Sequence, residues 1–275
     1  MPELPEVETI VRQLRGALAG AVVESVQVAR PDYVRSGRRT LRRQLPGRCL
    51  ARLERVGKRL VFVFRPAAEL VIHLGMSGRA QLEPRGSRPL RHTHVRVRFA
   101  ERVDELRICD PRRFGGVWFH AGANGGMAGL TPTGPDALSI RVPTLRRLCR
   151  RQRQIKALLL DQRVIAGLGN IYCDEALFAA GIHPTARASD MDDARIRRLA
   201  CGIRKTLRAA IEAGGSTLRD YADATGAPGT FQKRHRVYGR SERPCLRCGT
   251  PIRTIQVASR TTHFCPRCQR LPQSP

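Results

Sequence analysis

Four cysteines near the C-terminus have the residue type and the spacing of a metal site. Cys245 and Cys248 form one C-x2-C pair, Cys265 and Cys268 form a second, and 16 residues lie between the pairs. Two close pairs on turns can direct four thiolates at one tetrahedral Zn²⁺ ion. Two disulfides or chance clustering are the alternatives, and the spacing favours zinc because it falls within the range of structural zinc sites.

The start of the chain offers a possible nucleophile. Removal of Met1 would leave Pro2 as a secondary amine, and a terminal amine has a pKa near about 8. Attack of this amine on an aldehyde-like carbon gives an iminium, which is an electron sink for elimination chemistry. Glu3 or Glu6 could move protons beside it, whereas Glu8 is better explained as compensating the helix dipole. Because many chains begin Met-Pro without such a role, this pattern alone is weak evidence.

A second amine and a phosphate site are also suggested. Lys58 stands at the entry of a strand in VGKRLVF, where a lysine is ordinarily a solvated edge charge. The run VIAGLGNIYCDEAL, residues 164–177, is a glycine-bearing turn that opens a helix, and helix-start amides bind phosphate. The pattern is weak alone, but the nearby Arg151, Arg153 and Lys156 make a phosphate clamp plausible.

Two short motifs present large side chains on turns. DPRRFGG, residues 110–116, places Arg112 and Phe114 after a strand, and HLGMSG, residues 73–78, offers Met76. An aromatic residue at such a position either belongs to the core or wedges into a stack of bases.

The charge of the chain favours a polyanionic partner. The sequence holds 50 Lys and Arg against 23 Asp and Glu, a formal net charge of +27. The basic residues are spread along the chain, which favours a folded basic surface for nucleic acid over a disordered arm. Drift from Lys to Arg would explain part of the Arg excess but not the shortage of acids.

Composition also bears on location. No stretch is apolar enough to span a membrane, and MPELPEVET lacks the apolar region of a signal peptide. We therefore expect a cytoplasmic protein with reduced thiols. The nine cysteines are an odd number, and five of them are expected to be small buried core residues. These five are Cys49, Cys109, Cys149, Cys173 and Cys201.

Periodicity divides the chain into a β-rich and a helical part. Val7, Ile10, Val11, Leu14 and Leu18 follow helical spacing, and Gly20 is a suitable stop. Residues 22–120 predict an antiparallel β domain, sandwich or barrel-like, with strands at 60–64, 70–74, 94–99 and 105–109. Glycine and proline then mark a linker, and helices are predicted at 145–160, 170–180 and 190–213. Residues 216–235 predict a mobile polar loop, and the stretch between the cysteine pairs predicts a β-hairpin.

Taken in order, these motifs resemble the bacterial formamidopyrimidine-DNA glycosylase family, also called 8-oxoguanine-DNA glycosylases. The resemblance covers nearly the whole chain. It is carried by PELPEVET, HLGMSG, DPRRFG, the GLGNIY to AGIHP run, VYGR and the four-cysteine module.

The resemblance implies an α+β fold in two domains, the first a β-sandwich with a leading helix. It implies a β-sandwich catalytic domain at 1–120, a linker at 121–138, a helix-two-turns-helix domain at 139–235 and a zinc β-hairpin at 236–275. The implied activity is excision of oxidised purines from double-stranded DNA, followed by strand cleavage at the abasic site. The zinc would be structural, since four thiolates leave no open position. A monomeric, nucleoid-associated enzyme is expected.

The resemblance also assigns roles to residues. Pro2 would form the Schiff base at the sugar C1′, Glu3 would donate and accept protons there, Lys58 would assist β-elimination, and Arg260 would assist δ-elimination. Met76, Arg112 and Phe114 would fill the hole left by a flipped base. The backbone contacts would come from His92, Arg153, Lys156, Asn170, Tyr238 and Arg240. The loop from about Gly215 to Lys233 would fold over the everted base.

Two other functions remain open at this point. The endonuclease VIII-like glycosylases act on oxidised pyrimidines, but they usually begin PEGPE and lack the DPRRF pattern, so the sequence favours purines. A zinc-bearing DNA-binding protein without catalysis would share the charge and the cysteines but would not need a free Pro2.

Overall fold

The structure, a computed structural model, describes residues 2–122 and 133–271. Its contacts separate two compact units, one drawn from residues 1–131 and Ala213–Thr230, the other from residues 132–212 and 231–275. The sequence analysis placed residues 213–230 with the helical segment, whereas their contacts lie in the β-rich unit. Most of the predicted linker, residues 123–132, lies outside the described residues. No helix in the described ranges is long and apolar enough to cross a membrane.

Helix α1, Leu4–Leu18, confirms the first predicted helix. Pro5 occupies its first turn, and Glu3 and Glu6 form a capping box that satisfies amides at the helix start. The apolar residues spaced at three and four are fully buried, with Val7, Ile10 and Leu14 at 0% exposure. Burial of each such side chain contributes about 1.5–3 kcal/mol, so this face fixes the helix on the core.

Two sheets complete the first unit and confirm the predicted β domain. The strands are β1 Val23–Val28, β2 Val34–Ser36, β3 Cys49–Val56, β4 Arg59–Arg65, β5 Ala68–His73, β6 Arg79–Pro84, β7 Thr93–Phe99, β8 Asp104–Cys109 and β9 Gly116–Ala121. One sheet has the order β1-β7-β8-β6 and the other β2-β9-β5-β4-β3. All strand pairs within them are antiparallel except β2 with β9. A short helix that the sequence did not reveal, α2, spans Arg38–Gln44.

One apolar core serves both sheets. Leu60, Phe62 and Phe64 alternate along β4, and Val95 and Val97 alternate along β7. All belong to the same buried cluster as the inner face of α1. This two-residue period is the pattern that predicted the strands.

The second unit contains four helices within its described residues. They are α3 Val142–Cys149, α4 Ile155–Leu160, α5 Asn170–Ala180 and α6 Asp193–Glu212. The single helix predicted at 145–160 is wrong, because residues 150–154 pair with a neighbouring segment. The Ile155 amide donates to the Ala186 carbonyl at 2.8 Å, and the Ala188 amide donates to Arg153 at 2.9 Å. These extended-chain bonds replace a continuous helical ladder.

The predicted hairpin is present as β10, Arg253–Val257, and β11, Arg260–Phe264. Ala258 and Ser259 join them with positive φ angles of 49° and 57°, the backbone of a tight two-residue hairpin turn. Of the five scattered cysteines, Cys109, Cys149 and Cys173 are buried as predicted, whereas Cys49 and Cys201 are half-buried.

Candidate functional site

A buried carboxylate organises the start of α1. Pro2 is buried, and Glu3 and Glu6 are 2% and 1% exposed. The Glu3 amide donates to Glu6 Oε2 at 2.9 Å, and the Ser216 amide donates to Glu6 Oε1 at 2.7 Å. A Cβ on Gly215 would lie 2.8 Å from Glu6 Oε1, so only glycine allows this approach. Glu6 therefore joins the helix start to the segment 213–230.

The segment 213–230 is held against α1 by further polar contacts. Gln13 Nε2 donates to Asp223 Oδ2 at 2.7 Å, and the Ala224 amide donates to Gln13 Oε1 at 2.9 Å. Asp223 Oδ1 also accepts the amides of Thr225 and Ala227, each at 2.9 Å. Burial raises the pKa of Asp223, but these hydrogen bonds lower it by more than burial raises it, so the carboxylate is charged. The polar composition that predicted a mobile loop thus builds a hydrogen-bonded turn.

Lys58 lies on the tight turn between β3 and β4, and α1 contacts that turn through Glu8. Arg55 Nε donates to Glu8 Oε2 at 2.8 Å, and Arg55 Nη1 donates to the Gly57 carbonyl at 2.9 Å. Burial raises the pKa of Glu8, but its bonds with Arg12 and Arg55 outweigh burial and lower it. Glu8 is therefore more than a dipole-compensating residue, because it positions the hairpin that carries Lys58.

His73 connects this hairpin to the next candidate loop. It pairs with Arg59 across β4 and β5, and its Nδ1 accepts the Gly75 amide at 3.2 Å. Burial, together with the positive charges of Arg59 and Lys58, lowers the pKa of His73 to about 4. The imidazole is neutral at physiological pH, which matches its role as an acceptor at Nδ1.

The structure brings the three predicted wedge residues together. A Cβ on Gly75 would lie 2.4 Å from the Gly115 amide nitrogen, so the loops 73–78 and 110–116 are in backbone contact. Met76 is 40% exposed and Phe114 is 58% exposed. The Arg112 guanidinium stacks over the Phe114 ring at 4.8 Å. Both apolar side chains therefore lie at the surface beside a cation and not in the core.

Sequence reasoning missed the residues that support these loops. Asp110 is fully buried, and its carboxylate accepts Ser77 Oγ at 2.7 Å and the Gly115 amide at 2.9 Å. Ser77 Oγ in turn accepts the Arg112 amide at 3.1 Å. Asp110 lies inside DPRRFGG and Ser77 lies inside HLGMSG, and these positions were the signal from which their supporting role could have been predicted. His92 is exposed at a left-handed φ of 68°, and its carbonyl accepts the Asp110 amide at 3.1 Å.

In the second unit, Lys156 lies in the interior and not at the surface expected of a phosphate contact. It is 0% exposed, and its Nζ donates to Asp174 Oδ1 at 2.6 Å and to Thr262 Oγ1 at 2.7 Å. Asp174 Oδ2 also accepts the His263 amide at 2.9 Å. The ammonium therefore links α4, α5 and β11.

The hairpin turn and the start of α5 are joined in the same way. Asn170, the first residue of α5, donates from Nδ2 to the Thr261 carbonyl at 2.9 Å, and its Oδ1 is buried without a hydrogen-bond partner. Arg260 is exposed at the beginning of β11. Arg153 is exposed and pairs with Asp161 at 3.1 Å.

The segment that precedes the zinc module wraps a second buried carboxylate. Glu175 accepts the amides of Arg236, Val237 and Tyr238 at 2.8–3.0 Å. Burial raises the pKa of Glu175, while these amides oppose the rise. The Tyr238 ring contacts the His263 ring at a tilt of 57°, with centroids 5.0 Å apart, and Arg240 donates to the Pro244 carbonyl at 3.0 Å. The predicted DNA contacts at Tyr238 and Arg240 are therefore half-buried residues on an ordered segment.

The four predicted cysteines converge as a metal site requires. Their sulfurs all lie within 4.8 Å of one another, with Cys245 to Cys268 at 3.9 Å and Cys248 to Cys265 at 3.5 Å. Tetrahedral Zn–S bonds of about 2.3 Å place sulfurs about 3.8 Å apart, so the set fits one Zn²⁺ ion. Amides of Arg247 and Cys268 donate to cysteine sulfurs at 3.4 Å, which stabilises thiolate charge.

Family models match three consecutive parts of the chain. Residues 1–117 match the formamidopyrimidine-DNA glycosylase N-terminal domain, residues 133–222 the H2TH domain of the same family, and residues 243–271 a zinc finger found in FPG and IleRS.

Named relatives match over the full length. Formamidopyrimidine-DNA glycosylase of Thiobacillus denitrificans is 45% identical over 273 residues, covering 98% of this chain and 100% of the relative. The Bacillus subtilis enzyme is 40% identical over 275 residues, covering 98% and 99%.

Solved structures agree. A Lactococcus lactis FPG mutant in complex with Fapy-dG-containing DNA matches with a TM-score of 0.90 and 35% identity over 98% of this chain and all of the other. MutM in complex with carbocyclic 8-oxo-G DNA matches with a TM-score of 0.89 and 34% identity over the same shares of the two chains.

Proposed function

This chain belongs to the formamidopyrimidine-DNA glycosylase family, and we propose that it excises oxidised purines from DNA and then cleaves the strand. The observation that carries the proposal is the buried start of α1. There Pro2 is buried, Glu6 accepts the Glu3 amide, and Glu8 of the same helix accepts Arg55 Nε at the turn that bears Lys58. Relatives solved with Fapy-dG and 8-oxo-G DNA support oxidised purines as the substrate class.

The first chemical step is displacement of the damaged base. After Met1 is removed, the Pro2 nitrogen attacks C1′ of the damaged nucleotide, and the base departs with the electrons of the glycosidic bond. The Pro2 nitrogen gives up its proton, which the departing base takes, and Glu3 protonates O4′ as the C1′–O4′ bond breaks. The ring opens, and the nitrogen lone pair converts the C1′–N bond into an iminium.

Strand cleavage then uses the iminium as an electron sink. Loss of a proton from C2′ expels the 3′ phosphate in β-elimination, and a second elimination expels the 5′ phosphate. We assign Lys58 to assist the first elimination and Arg260 to hold phosphate during the second. Guanidinium suits Arg260 for this task because it stays charged and binds two phosphate oxygens at once.

The remaining candidate residues bind the DNA. Met76, Arg112 and Phe114 fill the gap left by the flipped nucleotide, and the segment from about Gly215 to Lys233 covers the everted base. His92, Arg153, Asn170, Tyr238 and Arg240 contact the backbone. Lys156 acts through Asp174 and Thr262 by ordering the hairpin that carries Arg260.

The zinc held by Cys245, Cys248, Cys265 and Cys268 is structural. Four thiolates leave no open coordination position, so the ion folds the hairpin and takes no part in the reaction.

We further propose the fourfold division at 1–120, 121–138, 139–235 and 236–275, with a monomer acting on the nucleoid in the cytoplasm. Three family models matching successive parts of the chain support the division. The net charge of +27 supports residence on DNA. Sedimentation of the purified protein tests the monomer.

Lesion preference tests the substrate class. Duplexes with 8-oxoguanine opposite cytosine should be cleaved faster than duplexes with thymine glycol. A clear preference for thymine glycol would instead assign the chain to the endonuclease VIII-like activity. Binding to both duplexes without cleavage would favour the non-catalytic alternative.

A further inference from the structure

A concave groove of about 500 Å³ lies within the second unit. Its walls come from α5, α6, the segment 231–236 and the turn between Cys245 and Cys248. The rim of the groove is cationic, and its floor is apolar.

Four cations surround the groove. Lys205, Arg234, Arg236 and Arg247 line it, and all four are exposed. Among the described residues that line it, the only acidic one is Glu175, whose carboxylate is buried and already accepts three backbone amides. The rim therefore carries an uncompensated positive charge that favours an anionic ligand.

The floor is apolar, but its aromatic faces are occupied. Arg247 stacks over the Phe178 ring at 4.6 Å. Phe231 lies between Tyr172 at 5.9 Å and His235 at 5.5 Å. Leu246, in contrast, is 57% exposed at the edge of the groove. Single-stranded nucleic acid needs open ring faces on which bases stack, so this floor suits an aliphatic side chain better than a base.

We propose that this groove binds an acidic peptide segment of a partner protein that carries one large aliphatic side chain. The carboxylates would meet the rim cations, and the aliphatic side chain would pack against Leu246 and the floor. The four rim cations and Leu246 are not among the residues assigned to DNA, so we expect the peptide and damaged DNA to use different side chains. The proposal does not depend on the catalytic assignment.

Fluorescence anisotropy with the zinc-loaded full chain tests this inference. The probe is a fluorescein-labelled peptide of aspartates with one central leucine, measured near physiological salt, where charges more than about 8 Å apart are screened. The K205E/R234E variant should weaken binding about tenfold or more, because two rim cations become anions. The matched control is R147E/R150E, which reverses two exposed arginines at the C-terminal end of α3 outside the groove and should change affinity less than about twofold.

A second variant tests the apolar contact. L246S should weaken the leucine peptide but leave a peptide with serine in place of leucine unchanged, with zinc content measured in each protein. Equal losses of affinity in R147E/R150E and K205E/R234E would overturn the proposal by showing general charge attraction. Loss of single-stranded DNA binding in K205E/R234E with peptide binding intact would also overturn it, and would assign the groove to nucleic acid.

Discussion

The two units hold their candidate residues by different means. In the first unit, the carboxylates of Glu6, Glu8 and Asp110 accept backbone or arginine donors and fix the loops that carry chemistry. In the second unit, four thiolates and the buried Lys156–Asp174 pair fix the hairpin that carries Arg260. We therefore expect each unit to unfold separately. Loss of hydrogen bonds would destabilise the first unit, and loss of the metal or an uncompensated buried charge would destabilise the second.

Zinc removal should have the largest effect, and it should be confined to the second unit. Structural zinc contributes about 10–16 kcal/mol to the folding of isolated zinc modules, so C248S should release zinc and unfold the hairpin. DNA affinity should fall with it. Trp118 is the single tryptophan and lies in β9 of the first unit, so its fluorescence should still report an unchanged unfolding transition. Native DNA affinity in metal-free C248S would contradict this division.

Breaking the buried ion pair should be the next largest effect. K156M leaves the fully buried Asp174 without its ammonium partner, which costs about 3–5 kcal/mol. Zinc release at increasing urea concentration should begin earlier in this variant. The control is K205M, an exposed lysine on α6, which should stay within about 0.5 kcal/mol of the parent. If K156M lost DNA affinity with its zinc-release curve unchanged, Lys156 would be a direct phosphate contact.

Acid should weaken the first unit through His73. Its folded pKa of about 4 lies below the ordinary 6.5, so between these values the unfolded chain binds a proton that the folded chain excludes. Stability is then complete above pH 6.5 and falls as the pH drops toward 4, by about 3 kcal/mol at about 1.4 kcal/mol per pKa unit.

H73N tests this pH dependence, because Asn can still accept the Gly75 amide but does not titrate. In this variant the Trp118 transition should depend less on pH across that window. An unchanged pH slope would show that other groups cause it.

Removing one hydrogen bond from Glu6 should have the smallest effect. In E6Q one of the two donors, Glu3 N–H or Ser216 N–H, faces an amide NH₂ group, at a cost of about 1–3 kcal/mol. Hydrogen exchange at the Ser216 amide should accelerate, while E101Q, at an exposed glutamate, should leave it unchanged. Unaltered exchange in E6Q would show that Glu6 does not hold the segment 213–230.

Local sequence patterns predicted helices and strands well, but they could not predict contacts between residues far apart in the chain. Alternation along β4 and the helical spacing of α1 record burial directly, so both elements could be predicted. The return of residues 213–230 to the first unit depends on Glu6 and Gln13, about 200 residues away. No local pattern encodes such a pairing.

The same limit applies to the candidate site residues. Motif order indicated Met76, Arg112 and Phe114, and the structure places them together. Lys156 stands in a run of basic residues, which favours a surface position. Its burial could be predicted only by knowing that Asp174 and Thr262 would meet it from two other elements.

The central claim is that the Pro2 nitrogen forms a covalent bond to the damaged sugar. Borohydride reduction during reaction with abasic DNA, followed by mass spectrometry of the cross-linked peptide, tests it most directly. We expect a stable cross-link at Pro2 in protein that lacks Met1. Protein that retains Met1 should give neither a cross-link nor strand cleavage. Strand cleavage by protein with Met1 in place, or a cross-link at Lys58 alone, would contradict it.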